Sequence, residues 1–155
     1  MESQRHFAAQ TPDFGERVHS SFSKQMVMNL IGAELAKVLP GEVEIHLPFH
    51  QKLTQQNGFL HAGITTTIMD SACGYAALTL MPAGASVLTV EFKVNLLSPA
   101  KGQTFMARGT VVKPGRTITF CSGEVWALGS NAPKLVATMS ATAMTLQDPP
   151  GQAEG

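Results

Sequence analysis

Residues 57 to 77 read NGFLHAGITTTIMDSACGYAA, and the pattern that starts inside this stretch decides the fold. From Ala62 to about Met81, apolar side chains recur every four positions at Ile64, Ile68, Ala72, Ala76 and Leu80, the spacing of one buried helical face. Such a helix is about 27 Å long at ~1.5 Å per residue, enough to cross a small domain. Its other face carries Thr66, Asp70, Cys73, Gly74 and Ala77, which apart from the one carboxylate are small, so something can approach the backbone closely there.

On the N-terminal side, His50 to Gly58 is polar and rich in Gln. Before it, AELAKVLPGEVEIHLPF predicts two extended runs about Pro40-Gly41, the second alternating polar and apolar residues from Glu42 to Leu47. Earlier still, Thr11-Pro12 resembles an N-cap followed by a first-turn proline, and Phe14, Val18, Phe22 and Met26 predict a short amphipathic helix. On the C-terminal side, Pro82 and Gly84 end the long helix. Extended runs follow in SVLTVEFKVNLL, QTFMARGTVVK, RTITFCSGEVWAL and KLVATMSATAMTL, the middle two joined by the turn Pro114-Gly115. Runs about twice the usual strand length predict a long, strongly curved sheet. The expected organisation is an N-terminal helical segment over 1–28, one domain over 29–147 and a disordered tail over 148–155. Hairpin-length connections between strand runs argue for an antiparallel α+β domain, its curved sheet wrapped around one central helix.

The 155 residues suit one such domain, and charged residues balance to zero, which excludes the basic footprint that nucleic acid or an anionic membrane demands. No apolar stretch approaches the roughly 20 residues of a membrane span, and the first 17 residues lack a secretory pattern, so a cytoplasmic location is expected. Cys73 and Cys121 lack the spacing of a redox or zinc site and read as reduced packing residues, and no metal or cofactor is expected. Neither GxSxG, GxGxxG nor GxxxxGK[ST] occurs, which sets aside serine hydrolases of the elbow type and nucleotide-binding enzymes.

Asp70 stands out among the acidic residues. It lies mid-helix in a mostly apolar segment, where Asp has poor helix propensity and where burying a carboxylate is costly without partners. The bland alternative is a packed carboxylate meeting a backbone amide or an Arg across a subunit contact. The preceding stretch, Gln55 to Gly63, delivers the chain to a helix N-terminus, whose free N–H groups and dipole of about +0.5 charge can hold a developing oxyanion. A thioester suits so simple a site, because its thiolate, with a conjugate-acid pKa near ~8.5, departs without a strong general acid.

The pattern Gln-x-x-Gly-x-x-His-x-Gly at 55–63, a carboxylate seven residues past that Gly, and the later SVLTVEFKVNLLSPAKG together resemble the PaaI-like thioesterases, the phenylacetate-degradation branch of the hotdog superfamily. The resemblance covers most of residues 30 to 146 and is strongest over 55–77. It implies a hotdog fold that hydrolyses an aryl- or medium-chain acyl-CoA. Asp70 matches the carboxylate that attacks the carbonyl or activates water, and Ala62 the position whose N–H faces the carbonyl oxygen. Gln55 matches the positioning amide and Thr89 a hydroxyl lining the site. His61 matches a residue that fixes the loop, with a lesser role at the substrate; Asn57 and Gly63 beside it are further candidates for substrate contact. The resemblance also implies a site shared between subunits, hence a homodimer paired into a homotetramer. Relatives commonly carry Gly-Gly where this chain has Ala62-Gly63, which affects substrate scope more than reaction type. Lys113 and Arg116, flanking a turn, and Lys93 nearby are candidates for the coenzyme A phosphates, though basic residues at turns are commonly just solvated.

Two alternatives stay within this fold: an acyl-CoA-binding module that cleaves nothing, and a hydratase or dehydratase. The second needs a His and a carboxylate on differently placed segments, which His61 and Asp70, nine residues apart, match poorly.

Overall fold

A computed structural model of the chain describes residues 6–147; the C-terminal tail expected to be disordered lies outside them. The elements are helices α1 (Phe14–Lys24) and α2 (Met26–Ile31), strands β1 (Glu34–Leu39) and β2 (Glu42–Pro48), the long helix α3 (Ala62–Leu78), and strands β3 (Ala85–Leu96), β4 (Thr104–Lys113), β5 (Ile118–Leu128) and β6 (Lys134–Gln147). The strands form one sheet in the order β1-β2-β4-β5-β6-β3, with every neighbouring pair antiparallel. This is the α+β hotdog fold, a curved sheet around a central helix. β3, which follows the helix, is laid at the far edge beyond β6.

Curvature has a local cause. Register shifts interrupt the ladder at Ala36 in β1, Val90 in β3, Val112 in β4 and Val136 in β6, and each extra residue bends and twists its strand. The concave face carries Val43, Ile45, Leu47, Phe105, Ala107, Val125, Ala137 and Met139, all buried against Ile68, Met69, Ala72 and Ala76 of α3.

Of the small residues predicted to allow close approach, Cys73 does so, together with Ala72 from the face predicted to be apolar, and the visitor is the chain's own sheet. Gly109 and Gly123 are register partners on β4 and β5. A Cβ at Gly109 would lie 2.3 Å from the carbonyl carbon and oxygen of Ala72, and one at Gly123 would lie 2.9 Å from the Cys73 sulfur. The paired glycines form a trough in which the helix backbone rests. Gly109→Ala therefore forces the helix off the sheet, at a cost of about 3 kcal/mol, and is expected to lower Tm by roughly 6–12 °C. Thermal unfolding followed by circular dichroism measures this; an unchanged Tm would show that the helix does not bear on this glycine.

Three predicted boundaries move. α1 begins at Phe14 with Asp13 as its N-cap, because Thr11 and Pro12 form a turn ahead of it. The stripe expected to run to Met26 stops at Phe22: Gln25 is extended, with φ −80° and ψ 92°, and Met26 is 74% exposed at the start of a second short helix. Finally, α3 ends at Leu78, ahead of Pro82. Thr79 caps it, donating its hydroxyl to the Ala76 carbonyl and accepting the Gly41 amide, which ties the helix end to the β1–β2 turn.

α1 is fastened to the far end of α3. The Arg17 guanidinium donates to the carbonyls of Met81, Pro82 and Ala85, and the Gln10 side-chain amide donates to Leu80. These donors hold the carbonyls of the turn that leads from α3 into β3.

Both cysteines are free and buried, as expected of packing residues. Burial pushes the Cys121 thiol up to about 12 from an ordinary value of 9.0. Cys73 is raised well above the same value, by burial first and then by the neighbouring Cys121 and Asp70. Above pH 9 the unfolded thiols ionise while the folded ones stay protonated, so the folded state binds more protons and loses stability as pH rises. The thiol contribution is flat below pH 9, and between pH 9 and about 12 the expected slope is roughly 1.4 kcal/mol per pH unit per thiol. Urea unfolding at stepped pH, with Cys121→Ala for comparison, checks it; an equal slope in the variant would contradict the assignment.

Candidate active site

The loop ahead of α3 is closed on itself and stitched to the sheet. Phe49 N–H donates to the Gln103 carbonyl, His61 N–H to Leu53, and Leu60 N–H to Ala100, at 2.9, 2.9 and 3.0 Å. Within the loop, Gln55 N–H donates to Phe59 and Gly58 N–H to Gln55, and Gly58 takes the left-handed conformation at φ 82° that this turn requires. The Gln55 side-chain oxygen accepts the Asn57 backbone amide. This holds the Gln55 carboxamide in place by its oxygen and leaves Nε2 as its donor end.

His61 is the N-cap of α3, and its Nδ1 accepts the Gly63 amide at 2.9 Å. A helix start has four amides without intrahelical partners. Here His61 donates to the Leu53 carbonyl, Gly63 to the His61 ring and Ile64 to the His61 carbonyl, which also accepts the first regular helix bond from Thr65. Ala62 is the fourth, and its amide has no partner among the described residues. His61 thus takes the loop-fixing place, and Gly63 contributes its amide to the cap. A Cβ at Gly63 would sit 3.1 Å from the His61 nitrogen, so glycine lets the imidazole close over the helix start.

Two turns further on is Asp70, half-buried. The Thr89 hydroxyl donates to its Oδ1 at 2.8 Å, joining the helix to edge strand β3 one residue before the bulge at Val90. One carboxylate oxygen is therefore oriented by a hydroxyl donor. Eight residues separate Ala62 from Asp70, about 12 Å along the helix axis. One copy cannot set both on the same small group.

The structure brings Gln55, Asn57, His61, Ala62 and Gly63 together at one end of α3, and Asp70 with Thr89 at its middle. Lys113 and Arg116 lie at the other end, Arg116 beside a cavity of about 360 Å³ lined also by Gln10, Met81, Pro82 and Gly115. Lys93 donates to its strand neighbour Asn95. Sequence reading missed two residues on the open edge. Alternation carried on from Val87 and Thr89 would turn Glu91 and Lys93 toward the helix, but the bulge at Val90 puts Phe92, Val94 and Leu96 there, paired with buried Ala141, Met139 and Ala137. Phe92 and Leu96 remain 45% and 60% exposed. No local signal marks that bulge.

Among the described residues no three of His, Cys, Asp and Glu converge as a metal would need, and no helix is long and apolar enough to cross a membrane.

The model of the thioesterase superfamily matches residues 57–133. A thioesterase family protein from Silicibacter pomeroyi is 50% identical, superposes with a TM-score of 0.86, and shares 87% of this chain and 99% of its own. The chain belongs to the thioesterase superfamily. As a member it is a thioester hydrolase. Acyl-coenzyme A thioesterase 13 of Homo sapiens is 32% identical over 92 residues, 59% of this chain and 65% of its own length. The PaaI protein from the phenylacetic acid degradation operon of E. coli shares the fold, with a TM-score of 0.78 over 86% of this chain and 94% of its own at 15% identity. The segment matched to the superfamily model contains Ala62, Asp70 and Thr89 and begins two residues after Gln55.

Proposed function

We propose that this thioesterase hydrolyses an aryl- or medium-chain acyl-CoA to the free acid and coenzyme A, at a site built by two copies of the chain. The reading rests on one observation: an oriented carboxylate and an unpartnered helix-start amide lie about 12 Å apart on the same helix. Joint action on one carbonyl takes Asp70 from one copy and Ala62 from the other. Edge strand β3 supports such pairing, since it is 12 residues long, has one free side, and exposes Phe92 and Leu96 toward the helix and Leu88 on the other face. Two such edges, paired antiparallel about a twofold axis, cover each other. A dimer, paired again into a tetramer, is the assembly this implies.

In the reaction, the Ala62 amide and the positive helix end hold the thioester carbonyl oxygen as it gains charge. Gln55 Nε2 donates to the same oxygen or to the water. The Asp70 carboxylate either adds to the carbonyl carbon, expelling coenzyme A thiolate and leaving an anhydride that water opens, or takes a proton from the water that adds in its place. Both routes yield the acid and the thiol. The apolar edge about Phe92 and Leu96 suits an aryl or alkyl group. The two reduced, buried thiols fit a cytoplasmic setting.

The test is a panel of phenylacetyl-, benzoyl- and medium-chain acyl-CoAs with a thiol-detecting dye, to which the buried cysteines contribute no signal. Release of thiol from aryl or medium-chain members is expected. Binding without release would point to a binding module, and loss of enoyl-CoA absorbance to a hydratase.

A further inference from the structure

We infer that the phosphate-bearing end of coenzyme A is held at a second cavity, between Lys101 and Lys134, on the end of the fold where α3 begins. The inference rests on the reading above that the thioester carbonyl lies at the Ala62 amide. The cavity is about 400 Å³ and is lined by Lys101, Gly102, Gln103, Gly129, Asn131 and Lys134 among others, with no acidic residue in its wall. That volume falls within the range of small-molecule sites.

Backbone bonds tie this cavity to the catalytic loop. Leu60 N–H donates to Ala100, next to Lys101; Phe49 N–H donates to Gln103, and Gln103 N–H to Leu128 at 2.7 Å. Lys101 is thereby fixed close to the start of α3. Lys52 stands on the same loop, in the short 3-10 turn Gln51–Leu53. The side chains of Lys52, Lys101 and Lys134, like those of Lys113 and Arg116 at the other end, have no ion-pair or hydrogen-bond partner among the described residues, whereas Arg17, Lys37, Lys93 and Arg108 are all engaged. No Asp or Glu occurs over 45–69, 92–123 or 125–147, the segments that build this end. Three cations without counter-charges sit where the helix dipole is also positive.

The cavity beside Arg116 is a weaker choice for an anion. It lies at the C-terminal end of α3, among the carbonyls of Leu80, Met81 and Pro82, where the dipole is negative. At the Lys101–Lys134 cavity two flexible ammonium groups and the neighbouring amides suit phosphate oxygens.

The experiment compares one acyl group carried on coenzyme A, on dephospho-coenzyme A and on N-acetylcysteamine, which has no phosphate. In the wild-type enzyme, kcat/KM is expected to be highest on coenzyme A and to fall with added salt. Lys101→Ala/Lys134→Ala is expected to lower the preference for the coenzyme A ester over the cysteamine ester about tenfold or more, through KM. Dephospho-coenzyme A separates the sources: a loss already present with it in the wild type assigns the cavity to the 3′-phosphate, and a loss seen only with cysteamine assigns it to the diphosphate. An unchanged preference in this variant, or the same loss produced instead by Lys113→Ala/Arg116→Ala, overturns the inference. Calorimetric titration with coenzyme A itself reads the site without turnover. Should no thioester be cleaved while coenzyme A binds in a manner that needs the two lysines, the functional reading fails and the subsite stands; binding indifferent to them removes the subsite.

Discussion

Asp70→Asn is expected to fold, assemble and bind acyl-CoA as the parent does, and to lose turnover by about 10³-fold. The substitution keeps the side chain's size and keeps an oxygen for the Thr89 hydroxyl, which now donates to Asp70 Oδ1 at 2.8 Å. What disappears is the charge that adds to the carbonyl or takes the proton of water. Because a half-buried carboxylate is replaced by a neutral group, stability should hold or rise slightly. Steady-state kinetics beside a thermal melt separates the outcomes: lost turnover with an intact melt supports the catalytic role, and turnover within a few-fold of the parent removes it.

Ala62→Pro is the counterpart on the other half of the site. Ala62 is the first residue of α3, the position where proline is best tolerated in a helix, and His61 before it has φ −64° and ψ 138°, a conformation compatible with a following proline. The ring therefore deletes one amide hydrogen with little effect on the helix. That hydrogen is the one left without a partner when Gly63, Ile64 and Thr65 bond to His61. Loss of such a donor is expected to cost about 10²–10³-fold in kcat. A proline variant with an intact melt and full activity would show that the carbonyl is polarised elsewhere.

The legible part of the fold was the part written in local periodicity and turn chemistry. The four-residue repeat from Ile64 to Leu80 marked the central helix, and Pro40-Gly41, with Gly41 at φ 79°, marked the first hairpin. Long-range pairing left less trace. Nothing near Gly109 or Gly123 announces that they face each other across two strands and seat the helix, and the bulge at Val90 reverses which residues of β3 look inward with no breaker residue to signal it. Gln25 is likewise an ordinary helix former, yet it is extended, and its side chain accepts the buried Ser71 hydroxyl, a contact 46 positions away.

The site divides in the same way. Asp70 drew attention as a carboxylate in an apolar helix, and the stretch from Gln55 to Gly63 as the approach to a helix start, whereas the role of His61 came from the resemblance. The assignment of Thr89 came from resemblance alone, because the bond between Thr89 and Asp70 spans 19 positions and two elements. The lysines at the second cavity were overlooked for the same reason, since contacts from 49 to 103 and from 103 to 128 bring them to the loop.

Mixing the two inactive variants tests the shared site most directly. Asp70→Asn and Ala62→Pro proteins, each nearly silent alone, are co-unfolded and refolded, or co-expressed with two tags, so that mixed dimers form. Each mixed dimer then has one site with both intact residues and one with neither, so statistical pairing about a twofold axis should restore about one quarter of parental activity. Mixtures no more active than either variant alone, with mixed dimers shown to be present, would mean that Asp70 and Ala62 do not meet across two copies of the chain.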